Sequence, residues 1–406
     1  MKLAKRLDSI DPFYVMEFAK AAAELARTPA CDPRQGGSPM IFLNIGEPDF
    51  TAAPLVREAA ISAIEHGRSQ YTDATGLPEL RKRISNWYQE RFGLSVEADR
   101  IVVTAGASAA LQLVCLALIE AGDEVLLPDP SYPCNRHFVA AADGTAVLLP
   151  AGPAERFQLS ADAVASAWRG ATRGVLLASP SNPTGTSIDP TEMGRIVDVV
   201  RQRGGFTLVD EIYLGLSFDD RYGQSVLVHG QGHGDDVISI NSFSKYFNMT
   251  GWRLGWLVLP RALVPAIEKL AQNLFICPST LAQHAALACF EPESIAEYER
   301  RRAEFRKRRD LLVPALDALG LSVPVMPDGA FYAWADCSRF ADLTAGGSWD
   351  FAYQLMHKAH IAVTPGRDFG RHDIARFVRF SYASSLDQLD EALRRLAVVL
   401  PGMKRA

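Results

Sequence analysis

The sequence has no arrangement of cysteines that suggests a disulfide framework or a metal site. Its 406 residues include six cysteines, and none of them forms a CxxC pair or stands near histidines at the spacing of metal ligands. They are Cys31, Cys115, Cys134, Cys277, Cys289 and Cys337. His229 and His233 lie four residues apart, but the glycines around them predict a loop that cannot aim both rings at one metal. We therefore expect reduced, mostly structural cysteines and no metal.

The chain also lacks a strong charge of either sign and a long apolar run. Its formal net charge is −5 and its pI is about 6.0, which gives no electrostatic reason to expect nucleic acid or an anionic membrane as a partner. No apolar stretch approaches the roughly 18 residues that span a bilayer. Residues 1–26 carry acids and lysines throughout instead of the apolar core of a secretory signal. They predict a short arm followed by an amphipathic helix, and we expect a cytoplasmic protein.

From about residue 100, short β-rich runs alternate with helical stretches. The runs are IVVT (101–104), EVLLP (124–128), TAVLL (145–149), GVLLASP (174–180), FTLVDE (206–211), VISINS (237–242) and LGWLVLP (254–260). Because 48% of the residues are hydrophobic, a chain of this length can bury a large core. The alternation predicts an α/β fold with a largely parallel sheet covered by helices on both faces. In that architecture, ligands bind at the carboxyl ends of the strands.

The pattern changes after Pro278, where helices dominate and a short α+β segment ends the chain. We expect an N-terminal arm and part of the small domain at 1–48, a large domain with the sheet at 49–290, and a small C-terminal domain at 291–406. The arginine-rich stretch 297–312 is interleaved with glutamates and with apolar residues at helical spacing. This pattern favours a solvated helix face over a nucleic-acid surface.

Lys245 follows one of the predicted strands and has a serine on its N-terminal side. A lysine there can bind phosphate as a point charge, act as a base, or form an imine with a carbonyl. Nearby Ser242 and Arg253 offer a hydroxyl and a guanidinium to a phosphate, and backbone N–H groups at a helix start add to them. That helix start comprises Gly106, Ala107 and Ser108. A phosphate beside an imine-forming lysine suggests pyridoxal phosphate.

Four further side chains acquire a role around such a cofactor. Asp210 can keep the pyridine nitrogen protonated, so that the ring accepts electrons. Tyr213 and Asn182 can donate hydrogen bonds to the phenolic oxygen, and Tyr132 can stack on the ring face. Plainer alternatives exist for single residues: Asp210 as a turn cap, Tyr132 as core packing, and Ser244 as either a phosphate ligand or a local hydrogen-bond donor.

Several motifs in the expected order resemble those of one family. SFSKYFNMTGWRLG (242–255) matches the pattern SxSKxxxxxGxRxG without a gap, and SNPTG stands at 181–185. NIGEPDF (44–50), QYTDATGLPELR (70–81), the Asp210 and Tyr213 pair, and VRFSYA (378–383) complete the set. From about residue 40 onward, the chain resembles the fold type I, class I/II pyridoxal-phosphate-dependent aminotransferases, which include aspartate aminotransferase.

The resemblance implies a fold and a set of roles. The fold is the type I transferase fold, a large domain with a mostly parallel seven-stranded sheet sandwiched by helices plus a smaller α+β domain. Lys245 would form the imine with the cofactor and later move the proton between the substrate α-carbon and the cofactor. Arg379 would bind the substrate α-carboxylate, helped by Asn182 and the backbone of Gly46. Tyr71 would reach the phosphate of a neighbouring subunit, which makes the expected active unit a homodimer. The family commonly has a cis bond at Asn182-Pro183.

The function that this implies is transfer of an amino group between an L-amino acid and a 2-oxo acid by a ping-pong cycle. An alternative with the same cofactor contacts is a carbon–sulfur lyase or an aminocyclopropane-carboxylate-synthase-like enzyme. A third is a non-catalytic ligand-sensing domain of a transcription regulator. That arrangement needs a DNA-binding module ahead of the fold, and we expect none because the family motifs begin by about residue 41.

The substrate is indicated by one departure from the family pattern. Members specific for aspartate tend to carry TxGGKQAL, whose lysine helps to bind the side-chain carboxylate. This sequence reads TAGASAAL, with Ser108 at that position. The departure favours neutral or aromatic amino acids, although Arg136, Arg367 or a basic residue of a partner subunit remain alternatives for binding a dicarboxylate.

Overall fold

The computed structural model describes residues 2–12 and 14–403, and in that part of the chain it confirms the alternation of strands and helices. The strands are β1 (Ile41–Phe42), β2 (Ile101–Thr104), β3 (Glu124–Asp129), β4 (Thr145–Pro150), β5 (Thr172–Ala178), β6 (Phe206–Asp210), β7 (Val237–Ser242), β8 (Gly255–Val258), β9 (Tyr332–Asp336), β10 (Ile361–Ala362), β11 (Thr364–Pro365) and β12 (Phe377–Ser381). The helices are α1 (Tyr14–Leu25), α2 (Pro54–Glu65), α3 (Pro78–Phe92), α4 (Gly106–Leu118), α5 (Pro133–Ala141), α6 (Ala161–Ala167), α7 (Pro190–Gln202), α8 (Val264–Leu274), α9 (Thr280–Leu287), α10 (Pro292–Leu319), α11 (Gly347–Lys358) and α12 (Leu386–Val399).

Seven strands form the central sheet in the order β2-β8-β7-β6-β5-β3-β4. All of them run in the same direction except β8, which is antiparallel to both of its neighbours. Alternate residues of one strand pack into different hydrophobic cores: Leu176 belongs to one core, and Val175 and Leu177 belong to the other. Helices therefore cover both faces, which is why these strands read as continuous apolar runs.

The N-terminal region joins the C-terminal region in space. Strand β1 pairs in parallel with β10, and β11, β12 and β9 form a separate three-stranded antiparallel sheet. The predicted helix near the N-terminus is α1, which buries Phe18 and Ala22. The pairing of β1 with β10 is consistent with an N-terminal segment that belongs to the smaller domain, whereas the domain limits at residues 48 and 290 stay a prediction.

The arginine-rich helix has an exposed basic face, as expected, but it also buries two of its arginines. Arg306 and Lys307 of α10 are exposed, but Arg301 and Arg308 are buried. Arg301 donates to the carbonyl of Thr51 at 2.5 Å and to Asn248 Oδ1 at 2.8 Å. The guanidinium of Arg308 binds the carboxylate of Asp49 at 2.9 and 3.0 Å and the carbonyl of Ala383 at 2.7 Å. Arg301 and Arg308 are seven positions apart, which is about two helical turns, so they lie on the same face of α10. Their hydrogen bonds and ion pair connect this face to distant loops.

The described residues offer neither a metal-binding cluster nor a membrane-spanning helix. They contain no group of three or more His, Cys, Asp or Glu side chains placed to hold a metal ion. None of the helices within residues 2–12 and 14–403 is both long and apolar enough to cross a membrane.

Candidate active site

A cavity of about 610 Å³ opens at the carboxyl ends of β5, β6 and β7 and at the start of α4. The strand-end residues that the sequence singled out therefore meet, as expected for a parallel sheet. Eleven of the predicted site residues line it, namely Gly46, Ala107, Ser108, Tyr132, Asn182, Asp210, Tyr213, Ser242, Lys245, Arg253 and Arg379. Gly106, the first residue of α4, does not line it. Tyr71 does not line it and is 83% exposed in the single chain.

Lys245 follows β7 and extends into the cavity. Its Nζ donates to the carbonyl oxygen of Gly46 at 2.6 Å, which ties the lysine to the loop after β1. Burial lowers the pKa of Lys245 to about 8, and the positive charges of Arg379 and Arg253 add to this effect, against the negative charges of Glu47 and Asp210. A substantial fraction of the amine is thus neutral near physiological pH, as a nucleophilic lysine requires.

Asp210 ends β6 and is buried. Its Oδ1 accepts a hydrogen bond from the backbone N–H of Ile212 at 3.0 Å. Burial raises the pKa of Asp210 to about 6, although the Ile212 N–H and the charge of Lys245 oppose this rise. At neutral pH the group is still mainly a carboxylate. A carboxylate in a buried wall is a suitable partner for a protonated ring nitrogen.

Tyr213 contacts a residue whose role the sequence did not suggest. Its hydroxyl lies 2.8 Å from the hydroxyl of Tyr332, and the two rings meet edge to face with centroids 5.7 Å apart. Burial raises the pKa of Tyr213, so that its hydroxyl keeps a proton to donate. Tyr332 also limits the space at Gly46, because a Cβ there would lie 2.8 Å from the Tyr332 hydroxyl.

Arg379 lies on β12 and is 3% exposed. One of its terminal nitrogens donates to Asn182 Oδ1 at 2.8 Å, and the other donates to the carbonyl of Asn44 at 2.7 Å and to Thr364 Oγ1 at 3.2 Å. Its Nε is buried without a hydrogen-bond partner among the described residues. Because a buried N–H without a partner is costly, this donor favours binding of an anionic group beside Arg379.

At the predicted phosphate site, two glycines allow neighbouring groups to come close to the start of α4. Gly106 has φ of +82°, and a Cβ there would lie 2.7 Å from a terminal nitrogen of Arg253. At Gly255 a Cβ would lie 2.9 Å from the carbonyl carbon of Gly106 and 3.0 Å from the nitrogen of Ala107. The two glycines therefore let Arg253 and β8 reach the start of α4, where backbone N–H groups are free to bind an anion.

Two hydroxyls complete this end of the cavity. Ser242 Oγ lies 3.0 Å from Ser244 Oγ and 3.2 Å from the carbonyl of Leu254, and it accepts the backbone N–H of Ser244 at 3.0 Å. Ser244 thus makes the local hydrogen bond that was one of its two alternatives, and it also lines the cavity. The hydroxyls, the guanidinium of Arg253 and the helix start fit a phosphate monoester, and the aldehyde of pyridoxal phosphate would then be within the cavity that holds Lys245.

Residues 38–396 match the sequence profile of the family described as aminotransferase class I and II. The chain belongs to this aminotransferase family. A valine–pyruvate aminotransferase of Mycobacterium tuberculosis is 38% identical over 392 residues, which are 97% of each chain. An aspartate aminotransferase of Rhizobium meliloti is 34% identical, with 97% of this chain and 95% of that protein covered. The crystal structure of an aminotransferase from Mycobacterium tuberculosis superposes with a TM-score of 0.91 at 37% identity, covering 99% of this chain and 100% of that one.

Membership in the aminotransferase family confirms the predicted fold type I architecture, the enzyme class and pyridoxal phosphate as the cofactor. It also agrees with the cis bond expected at Asn182-Pro183, which the structure has. The individual roles of the site residues are proposals that follow from their positions in the cavity.

The sequence of this aminotransferase did not reveal part of the cavity wall. Val15, Met16 and Ala19, which we call the apolar wall, all come from α1. The amphipathic pattern of α1 indicated a helix, but it could not indicate which apolar residues face the core and which face a ligand. Tyr332 was also missed, because a tyrosine in an apolar strand is more often packed core than part of a site.

Proposed function

We propose that this aminotransferase uses neutral or aromatic L-amino acids as donors and a 2-oxo acid as acceptor, in a ping-pong cycle of two half-reactions. The observation that carries the proposal is the placement of Arg379, Lys245 and the apolar wall around one cavity. Arg379 binds the α-carboxylate of the donor, Lys245 moves the proton of its α-carbon, and the apolar wall contacts its uncharged side chain.

Each cavity residue has a distinct part in this proposal. When bound, pyridoxal phosphate supplies an aldehyde for the amino group and a ring that accepts electrons from the α-carbon. Arg379 and Asn182 orient the substrate through its carboxylate, which fixes the α-carbon near Lys245. The neutral amine of Lys245 takes the proton from the substrate α-carbon and delivers it to a carbon of the cofactor. Asp210 holds the ring nitrogen protonated, and Tyr213 donates to the ring oxygen.

The charges of the cavity support an uncharged donor side chain. Among the described residues that line it, the cations are Lys245, Arg253 and Arg379, and each already has a role in the proposal. Position 108 is an exposed serine. Arg367 does not line the cavity. Its guanidinium instead lies over the ring of Tyr14, 4.2 Å from the ring centroid. Arg136, the other candidate of this chain, does not line the cavity either. Among the described lining residues, a second carboxylate on the substrate would thus lack a cation of its own.

We also propose a homodimer in which Tyr71 of each chain reaches the phosphate bound by the other. Tyr71 is a large aromatic residue, and an exposure of 83% is unusual for such a side chain. It belongs to the segment 70–81, which matches a family motif, yet it lies outside the cavity of its own chain.

A panel of amino donors tests the substrate class. With pyruvate and 2-oxoglutarate as acceptors, kcat/KM for valine, leucine or phenylalanine should exceed that for aspartate by about tenfold or more, because a hydrophobic cavity binds extra methylenes but rejects an unpaired charge. The half-reaction with a donor alone should change the cofactor spectrum without release of ammonia, as a transferase requires. In Ser108→Lys, kcat/KM for aspartate should rise relative to that for leucine. A preference of the wild type for aspartate, or ammonia release, would contradict the proposal.

Arg379→Lys should weaken binding of every donor alike. Lysine keeps the charge but not the two parallel N–H donors, so the loss of a charged hydrogen bond, about 1.5–3 kcal/mol, should raise KM by about 10- to 100-fold. The measurement is KM for alanine, leucine and phenylalanine. Arg376→Lys is the matched control, because Arg376 is half-exposed and pairs with Asp336 at 2.6 Å. An effect of Arg379→Lys on one donor alone would place Arg379 in the side-chain pocket instead.

A further inference from the structure

The apolar wall depends on the position of α1, and the first turn of α1 is held by a single carboxylate. Asp368 accepts hydrogen bonds from the backbone N–H groups of Tyr14, at 3.2 Å, and of Val15. These are the first two residues of α1. A carboxylate at a helix start satisfies free N–H groups and interacts favourably with the helix dipole.

Asp368 is unusual for a capping residue because it is buried, at 3% exposure, and lies far from α1 in the sequence. Arg136 and Arg379 are near enough for their charges to lower its pKa. Even so, Asp368 forms no ion pair within 4.0 Å in the described part of the chain, and both of its oxygens are used on α1. Burial raises the pKa of Asp368 to about 6, so it is mainly ionised at neutral pH.

The neighbours of Asp368 connect the same segment to the rest of the site. The guanidinium of Arg367 stacks on Tyr14, the first residue of α1. The ring of Phe369 lies 5.1 Å from the guanidinium carbon of Arg379, and its carbonyl accepts the N–H of Ser131 at 2.7 Å. Residues 367–369 thus contact α1, the proposed carboxylate-binding arginine and the loop that carries Tyr132.

We propose that Asp368 is a positioning residue for donor selectivity, because it holds the first turn of α1 where the apolar wall contacts the donor side chain. The inference rests on the proposed function, since it assumes that an uncharged side chain occupies that wall. Asp368 does not touch the substrate in this proposal. Its effect therefore grows with the length of the donor side chain and is small for alanine, whose methyl group is too short to reach the wall.

The test is Asp368→Asn, which keeps the volume but places an NH₂ group against one of the two backbone N–H donors. Relative to alanine, kcat/KM for leucine and phenylalanine should fall by about tenfold or more, mainly because KM rises. A decrease of this size is typical when one apolar contact in a pocket is lost. Val15→Ala should lower the same ratio. The double variant should lose little more than the larger single effect, because both changes remove one interaction.

A second measurement does not depend on turnover. Amide hydrogen exchange of residues 14–25 in the holoenzyme should be faster in Asp368→Asn than in the wild type. Asp373→Asn is the matched control, since Asp373 is exposed in the same segment and the described structure gives it no contact with α1. Asp368→Ser can accept one N–H group and should give an intermediate ratio, so it tests the proposal if the asparagine variant is unstable.

The outcomes separate this inference from the proposed function. An equal loss for alanine and leucine would overturn the selectivity role, because it would mean that Asp368 acts through Arg379. Unchanged exchange of residues 14–25 would overturn its hold on α1. A wild-type preference for aspartate over leucine would overturn the proposed donor class. Faster exchange of residues 14–25 in Asp368→Asn than in the wild type would, even then, support the hold of Asp368 on α1.

Discussion

Lys245→Ala should abolish transamination, with kcat lower by about 10⁴-fold or more, since a positioned proton-transfer group alone contributes 10²–10⁴-fold and the proposed role of this lysine includes holding the cofactor. No other lysine lines the cavity among the described residues, so no amine can replace it. The holoenzyme should also lose the visible absorbance of the protein-linked cofactor. Steady-state rates, the absorbance spectrum, and borohydride reduction followed by peptide mass spectrometry measure these effects.

The control for this variant is Lys307→Ala, which removes an exposed lysine of α10 and should leave kcat, the absorbance and the reduced peptide as in the wild type. Circular dichroism should show that Lys245→Ala is folded, because the amine makes one hydrogen bond, to Gly46, and α10 and the sheet do not depend on it. Full turnover in Lys245→Ala, or borohydride labelling of another residue in the wild type, would refute the assigned role.

The sequence predicted the sheet and the strand-end residues because both depend on local patterns. A buried parallel strand needs a continuous apolar run, so β5 and β6 were visible as GVLLASP and FTLVDE. A polar residue that follows such a run lies at the carboxyl edge of the sheet. Asp210 and Lys245 were therefore predictable from their places in the chain, and the spacing of the family motifs added Arg379.

The parts that the sequence did not predict depend on which distant segments meet. Arg301 and Arg308 follow the same charge pattern as their exposed neighbours, and only the approach of the loops at 49–51 and 248 makes burial favourable. The apolar wall depends in the same way on contacts of α1 with residues more than 300 positions away. Side chains whose environment is set by such contacts carry no local signal.

Burial has opposite chemical consequences for the two central groups of the cavity. It lowers the pKa of Lys245 to about 8 and raises the pKa of Asp210 to about 6, because a low-dielectric wall disfavours either charged form. For Lys245 this shift favours the neutral amine that its proposed roles as nucleophile and base require. For Asp210 it is a cost that a protonated ring nitrogen can offset, since an ion pair restores the charged form of the acid.

Asp210→Asn should retain the cofactor but turn over slowly. Asparagine has the same shape and can still accept the N–H of Ile212, so the wall of the cavity is preserved. A neutral amide cannot hold a proton on the ring nitrogen, and the ring then accepts electrons poorly. We expect kcat to fall by about 10²- to 10⁴-fold, with KM for the donor changed much less. Lys245 remains, so borohydride should still label position 245, which distinguishes this variant from Lys245→Ala.

The adjacent residue provides a close control. Glu211 is also buried, and burial raises its pKa to about 7, but it does not line the cavity. Its carboxylate accepts from Val226 N at 2.6 Å and from Ser225 Oγ at 2.8 Å. Glu211→Gln should therefore lower the free energy of unfolding while kcat stays within about tenfold of the wild type. If Glu211→Gln and Asp210→Asn reduced kcat equally, loss of local structure and not loss of charge at the ring would explain both, and Asp210 would have no specific role.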